Sequence, residues 1–172
     1  MNIAYTMATE HGATDMLLAD TAQQLTDAGW RPCGIVQINT KTQGDHRCDM
    51  DVKILPGGPT IRISQSLGAH ARGCRLNPSA LEQSVSASAA ELAKGADVLI
   101  VNKFGKHEAE GRGFRDLIAE ALVQDVPVIV GVNQQNLQAF LDFTQGLATF
   151  LEPQQNNLLG WVSGLTTKTN AA

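Results

Sequence analysis

Ala96-Asp-Val-Leu-Ile-Val-Asn-Lys-Phe-Gly-Lys-His-Glu-Ala-Glu-Gly-Arg-Gly-Phe-Arg-Asp116 passes from an apolar run through a glycine-spaced basic loop into a helical repeat. Val98 to Val101 is continuously apolar and rich in β-branched residues, the pattern of a strand covered on both faces in a parallel sheet. Phe114, Leu117, Ile118, Ala121 and Leu122 recur at helical spacing and predict one apolar stripe. In open α/β sheets ligands bind outside the carboxyl ends of the strands, where helix N-termini turn unpaired N–H groups toward anions. Asn102, Lys103, Lys106, Gly111, Arg112 and Gly113 occupy that position.

The flanking sequence repeats the alternation. Asn2 to Ala8 reads as a strand, Thr9-Glu-His-Gly-Ala-Thr-Asp15 as a loop, and Leu18, Ala22, Leu25 and Ala28 as a helix closed by Gly29. Cys33 to Ile38 is a second apolar strand ending in Asn39, and Thr40 to Arg47 a polar loop. Met50, Val52 and Ile54, then Ile61 and Ile63, alternate with polar residues on either side of Pro56-Gly-Gly-Pro59, which predicts an antiparallel hairpin with one buried face. A second glycine-and-arginine loop, Leu67 to Asn77, leads into a helix carrying Leu81, Val85, Ala89 and Leu92, with Asn77 as N-cap and Pro78 in the first turn. Val126 to Val132 reads as a buried strand and Leu137 to Phe143 as a short helix. The expected fold is a three-layer α/β/α sandwich with a mostly parallel sheet and one antiparallel hairpin insertion. It forms a single domain over 1–172, with a core of about 1–152 and a tail, 153–172, whose sequence gives no firm assignment.

A length of 172 residues suits one domain with a sizeable core, and a net charge of −4 argues against nucleic acid or an anionic membrane as partner. No apolar run approaches the roughly 20 residues that span a bilayer, and Met1-Asn-Ile-Ala-Tyr5 lacks the basic start of a signal peptide, so the expected compartment is the cytoplasm. Cys33, Cys48 and Cys74, odd in number and far apart, read as reduced. Leu158, Leu159 and Trp161 in an otherwise polar tail predict self-association as a homo-oligomer, unless they fold back on the chain's own sheet.

The positive charge that matters is local. The first βα loop stands where a P-loop would, yet only Gly12 is present and no Lys follows, so it reads either as a turn capped by Thr14 or Asp15 or as a backbone anion nest of Gly12, Ala13 and Thr14. Where P-loop enzymes place an Asp for Mg²⁺ and a catalytic Glu, the chain has Asn102 and Lys103. An amide cannot supply the charge that holds Mg²⁺, nor a Lys activate water, so efficient nucleotide hydrolysis is not expected. Lys103, Lys106, Arg112 and Arg115, with Arg112 and Arg115 sharing a helix face, form either an anion site or a salt-bridge cluster with Glu108, Glu110 and Asp116. Arg72, Cys74 and Arg75 repeat this logic, since guanidinium forks suit oxygen-rich anions. Gln37 and Asn39 end the second strand as hydrogen-bonding groups. His46, Cys48, His70 and Cys74 lack metal-ligand spacing, and no metal site or catalytic residue is assigned.

Gly34-Ile-Val-Gln-Ile-Asn39, Gly73-Cys-Arg-Leu-Asn-Pro78, Asn102-Lys-Phe-Gly-Lys-His-Glu-Ala-Glu-Gly-Arg-Gly113 and Val126-Pro-Val-Ile-Val-Gly131 together resemble a bacterial family of unknown function. Its members are often labelled molybdenum ABC transporter ATP-binding-like and are similar to P-loop nucleoside triphosphatases. The resemblance covers about residues 1–152 and implies a degenerate P-loop scaffold linked to molybdate or tungstate handling. Asn77 departs from the Asp expected there. Three functions follow as expectations. The first is a cytoplasmic, non-enzymatic protein that stores, delivers or senses a small oxyanion such as molybdate or tungstate. It would be held by Gly12, Ala13, Thr14, Asp15, Gln37, Asn39, Arg72, Cys74, Arg75, Asn102, Lys103, Lys106, Glu108, Gly111, Arg112, Gly113 and Arg115. The second is a phosphohydrolase that binds ATP or GTP with Mg²⁺, Glu108 or Glu110 replacing the lost carboxylates. The third is a regulatory subunit without a small ligand, bound to molybdate-transport or cofactor-assembly proteins.

Overall fold

A computed structural model describes residues 1–41, 48–65 and 76–169, with backbone alone at 39–41, 48–49 and 166–169. The elements are β1 (Ile3–Thr6), α1 (Ala13–Asp27), β2 (Pro32–Lys41), β3 (Cys48–Leu55), β4 (Thr60–Arg62), α2 (Pro78–Leu92), β5 (Val98–Phe104), α3 (Lys106–Ala109), α4 (Arg115–Val123), β6 (Val128–Val132), α5 (Leu137–Phe143), β7 (Thr149–Phe150) and α6 (Gln155–Thr169). Among the described residues the sheet has seven strands in the order β4-β3-β2-β5-β6-β1-β7. The five from β2 to β7 run parallel, while β3 is antiparallel to both β2 and β4. The mostly parallel sandwich and its hairpin are thus present as the sequence predicts.

The three layers follow from the period of two along each strand. Ala4, Val98, Ile100 and Ile129 pack with Leu18, Ala22 and Leu25 of α1 and Leu158 and Val162 of α6. The alternate residues, Ile3, Leu99, Val101, Val128 and Val130, meet Leu81 and Leu92 of α2, Leu117, Ile118 and Ala121 of α4, and Phe140 of α5. β2 passes so close to β5 that a Cβ on Gly34 would lie 2.1 Å from the Ile100 carbonyl oxygen, and Gly34 also has φ +99. Only glycine fits both conditions. Asn77 caps α2 as expected, its side chain accepting from Ala80 N–H at 3.2 Å.

Several boundaries depart from the sequence reading. Strand pairing carries Thr40 and Lys41 into β2, opposite Asp49 and Cys48, where a polar loop was expected. β1 stops at Thr6, and α1 starts at Ala13 with Gly12 as N-cap in the left-handed region, φ 79, without a side-chain cap. Thr14 and Asp15 therefore lie inside the first turn rather than at the cap. The tail is a 15-residue helix, and Leu158 and Val162 are fully buried in it. The apolar residues that motivated self-association thus include Leu158, which is covered by the chain itself. Among the described residues no helix is long and apolar enough to cross a membrane.

Cys33 is a free, fully buried thiol in this core. Burial, partly offset by the Arg31 charge, pushes its pKa up to about 12. In a variant carrying Ser at positions 48 and 74, Cys33 is expected to stay unreactive toward a maleimide at pH 8 for hours and to label within minutes in denaturant. Rapid labelling of the native chain would contradict this packing.

Candidate functional site

The carboxyl ends of β1, β5 and β6 meet below the N-terminus of α1. The connection from β1 crosses two strands, β6 and β5, before α1 delivers the chain to β2, and the turn at 7–12 therefore lies over the switch in strand order, where α/β sheets open a crevice. A cavity of about 780 Å³ occupies it, lined by Met7 to Gly12, Thr14, Asp15, Gln37, Met50, Lys103 and Gly131 to Gln134.

The turn is held by its own backbone. Ala13 N–H donates to the Glu10 carbonyl at 3.2 Å and Met16 N–H to the Gly12 carbonyl at 3.1 Å. The Thr14 hydroxyl accepts from Ala8 N–H at 2.9 Å, tying the start of the turn to the first turn of the helix. Measured against the P-loop spacing, Met7 stands at the first glycine and Ala13 at the lysine, while Gly12 and Thr14 keep the last glycine and the hydroxyl. The sequence reading noted the missing lysine but not that Thr14 keeps this offset.

Lys103 reaches the same cavity from β5. In the β5–β6 ladder Asn102 pairs with Gly131 and Phe104 with Val132, so Lys103 is an extra residue in a bulge. The bulge sends Phe104 to the face opposite that of Ile100, where it packs edge-on against Phe140 at 5.2 Å. The Lys103 ammonium lies 3.4 Å from Asp15 Oδ1, with the Asp15 side chain only 6% exposed. A cation from another strand thus stands beside the first turn of α1. An anion entering here would find it together with the helix N-terminus.

Below the turn, Thr6, Gly131 and Asn102 sit side by side across three strands. A Cβ on Gly131 would meet Leu18 Cδ1 at 2.8 Å, Asn102 Oδ1 at 3.2 Å and Thr14 Cγ2 at 3.2 Å, which places this row against α1. Asn102 is 1% exposed and Thr6 fully buried, and among the described residues Asn102 Nδ2 and Oδ1 and Thr6 Oγ1 have no hydrogen-bond partner. Buried polar groups are ordinarily paired, so two such residues on either side of Gly131 mark a place where stability gives way to something else. Nothing in the sequence marked Thr6 or Gly131, because strands far apart in the chain bring them to Asn102.

The remaining expected site residues fall elsewhere. Glu108 is buried and accepts from Gly105 N–H at 2.9 Å and Phe114 N–H at 3.1 Å, so both carboxylate oxygens hold the loop around α3. Glu110 pairs with Lys106 at 3.6 Å and with Arg112, whose hydrogen bond, with Lys106 adding its charge, lowers the pKa of the carboxyl. Arg112 precedes α4 rather than sharing its face with Arg115. Arg115 donates to the Glu108 carbonyl at 3.3 Å and lies 4.4 Å over the Phe143 ring. Gly111 and Gly113 turn the chain at φ 84 and φ 60. Arg72, Cys74, Arg75, His46 and His70, and the side chains of Asn39 and Cys48, lie outside the described residues.

A profile of the family described as "Protein of unknown function (DUF2478)" matches residues 3–161. The chain belongs to that family. This DUF2478 chain is 38% identical over 147 residues to the molybdenum import ATP-binding protein ModC 2 of Bradyrhizobium diazoefficiens, a match that covers 86% of the chain and 16% of the relative. The chain therefore spans about a sixth of that protein's length. Among solved structures it is similar to a human cancer-related nucleoside triphosphatase, with a TM-score of 0.64 at 15% identity over 100% of this chain and 99% of that one. At that identity the likeness establishes the fold, and the fold is P-loop-NTPase-like.

Proposed function

We propose that this domain binds the phosphate chain of a nucleotide in the cavity over α1 and turns it over slowly or not at all. The observation that carries the reading is Lys103: the turn lacks a lysine at position 13, and an ammonium arrives instead from the β5 bulge beside the helix's first turn. A P-loop lysine serves as a cation for the β- and γ-phosphates, and such a cation retains that electrostatic use when it comes from a neighbouring strand. The cavity of about 780 Å³ lies within the usual range of ligand sites, roughly 300–1,000 Å³. The name of the 38% identical relative, an ATP-binding protein, supports nucleotide as the ligand. Slow turnover follows from Asn102 and Lys103 at the end of β5 and from Glu108, whose carboxylate is taken up by two backbone N–H groups.

A second reading keeps the site and changes the ligand. The same relative is named for molybdenum import, and a tetrahedral dianion such as molybdate or tungstate would also suit Lys103 and the N-terminus of α1. A thermal-shift screen separates the two. With ATP, GTP, tripolyphosphate, molybdate, tungstate and sulfate, each with and without Mg²⁺, a ligand at 100 times its Kd adds about 2.7 kcal/mol, or roughly 5–10 °C for a chain of this size. The nucleotide reading expects stabilisation by ATP or GTP. Stabilisation by molybdate or tungstate alone would replace it with the oxyanion reading.

A further inference from the structure

On the opposite side of β5 from α1 lies a second cavity, of about 490 Å³. Its inner wall is aliphatic. Ile35, Ile63 and Leu81 are buried, and Met50 and Leu76 are half-buried against them. Its mouth is formed by the α3 segment, with Lys106, Glu110 and Arg112. Gln37, Met50 and Lys103 line both cavities, so the two chambers adjoin at the end of β5.

The charge at this mouth is unbalanced. Lys106 and Arg112 share the single Glu110 carboxylate, and their side chains are 77% and 56% exposed. The other nearby carboxylate, Glu108, is committed to Gly105 and Phe114 N–H. Glu108 keeps its charge while it holds those N–H groups, so three cations, Lys103, Lys106 and Arg112, line the cavity against two carboxylates, Glu108 and Glu110, a net positive charge over an apolar interior. An apolar lining with a few polar groups at one end is the usual form of a small-molecule site, the apolar part setting affinity and the charge setting orientation.

We infer that this second cavity is a binding site for a small organic anion, a ring-sized apolar body with one carboxylate or phosphate that lies at the Lys106 and Arg112 mouth. It is a separate chamber from the phosphate cavity, and a molecule seated in it lies next to whatever Lys103 holds. A free inorganic anion would leave the aliphatic wall of Ile35, Ile63, Leu76 and Leu81 unfilled, whereas an apolar body covers it.

The probe is 2-naphthoate, with 2-naphthol as its uncharged counterpart and tripolyphosphate as the ligand of the first cavity, each titrated by calorimetry against the full chain. Expected is 1:1 binding of 2-naphthoate, at least five-fold tighter than 2-naphthol. Leu76→Trp, which fills the chamber, should weaken 2-naphthoate at least ten-fold and leave tripolyphosphate within two-fold. Lys106→Ala together with Arg112→Ala, both exposed and compatible with folding, should remove the preference for the anion while 2-naphthol binds as before. Absence of 2-naphthoate binding, or binding indifferent to Leu76→Trp in a variant whose circular dichroism is unchanged, overturns the inference. Loss of tripolyphosphate binding by the unmodified chain counts against the phosphate site alone.

Discussion

Lys103→Ala should weaken binding of ATP or tripolyphosphate roughly 30- to 150-fold. The figure is that of one charge-assisted hydrogen bond to phosphate, about 2–3 kcal/mol, at about 1.4 kcal/mol per factor of ten. Lys103 is the cation that the structure places beside the first turn of α1, and the turn itself offers Ala13 where the P-loop spacing calls for lysine. Lys103→Arg keeps the charge and should lose much less, although a planar guanidinium does not reproduce the ammonium's position. The sharper comparison is Ala13→Lys in the Lys103→Ala background. If the cation's place matters more than the strand that supplies it, a lysine at position 13 recovers at least ten-fold of the loss. Calorimetric titration of the four proteins at low salt reads all of this. Equal affinity in Lys103→Ala and the unmodified chain would reduce Lys103 to a partner of Asp15 and remove the basis of the proposed site.

How far the sequence carried this reading depends on which signals are local. The β5 strand, the α4 stripe, the Asn77 cap and the hairpin at Pro56–Pro59 all rest on patterns within about ten residues, and each is found in the structure. The tail helix escaped because its fully buried pair, Leu158 and Val162, makes sense only once α1 is there to receive it. In sequence the basic loop reads either as an anion site or as a salt-bridge cluster, and the bulge at Lys103 separates its cations. Lys103 pairs with Asp15 of α1 and lines both cavities, while Lys106 and Arg112 line the second alone. A bulge has no reliable mark in a single sequence, and it decides where Lys103 stands relative to Lys106 and Arg112. Glu108 was weighed as a catalytic carboxylate, yet its spacing from Gly105 and Phe114 makes it a backbone cap.

Asn102→Val should make the protein more stable and bind worse. Asn102 is 1% exposed, and neither polar atom of its carboxamide has a partner among the described residues. A buried polar group left unpaired costs about 1–3 kcal/mol, and replacing it by an apolar residue removes that cost. Valine also suits the interior of a parallel strand between Val101 and Lys103. Gly131 limits the room, since a Cβ built there already comes within 3.2 Å of Asn102 Oδ1. Some of the gain is therefore returned as crowding, and a net of about 1–2 kcal/mol is expected, seen as a rise in Tm of roughly 2–8 °C. The binding half of the prediction rests on Thr14. Its hydroxyl is engaged by Ala8 N–H, while its methyl faces the same point over Gly131 as the Asn102 amide. A phosphate that takes Ala8 N–H frees the Thr14 hydroxyl to turn toward Asn102, and the amide then gains a partner. Valine cannot accept that hydroxyl, so the variant should lose about 1 kcal/mol of ligand affinity, near five-fold. Higher Tm with weaker binding would show that Asn102 is retained for the ligand at the expense of the fold. A lower Tm would show that its amide is satisfied in solution, and the coupling to Thr14 would fall with it.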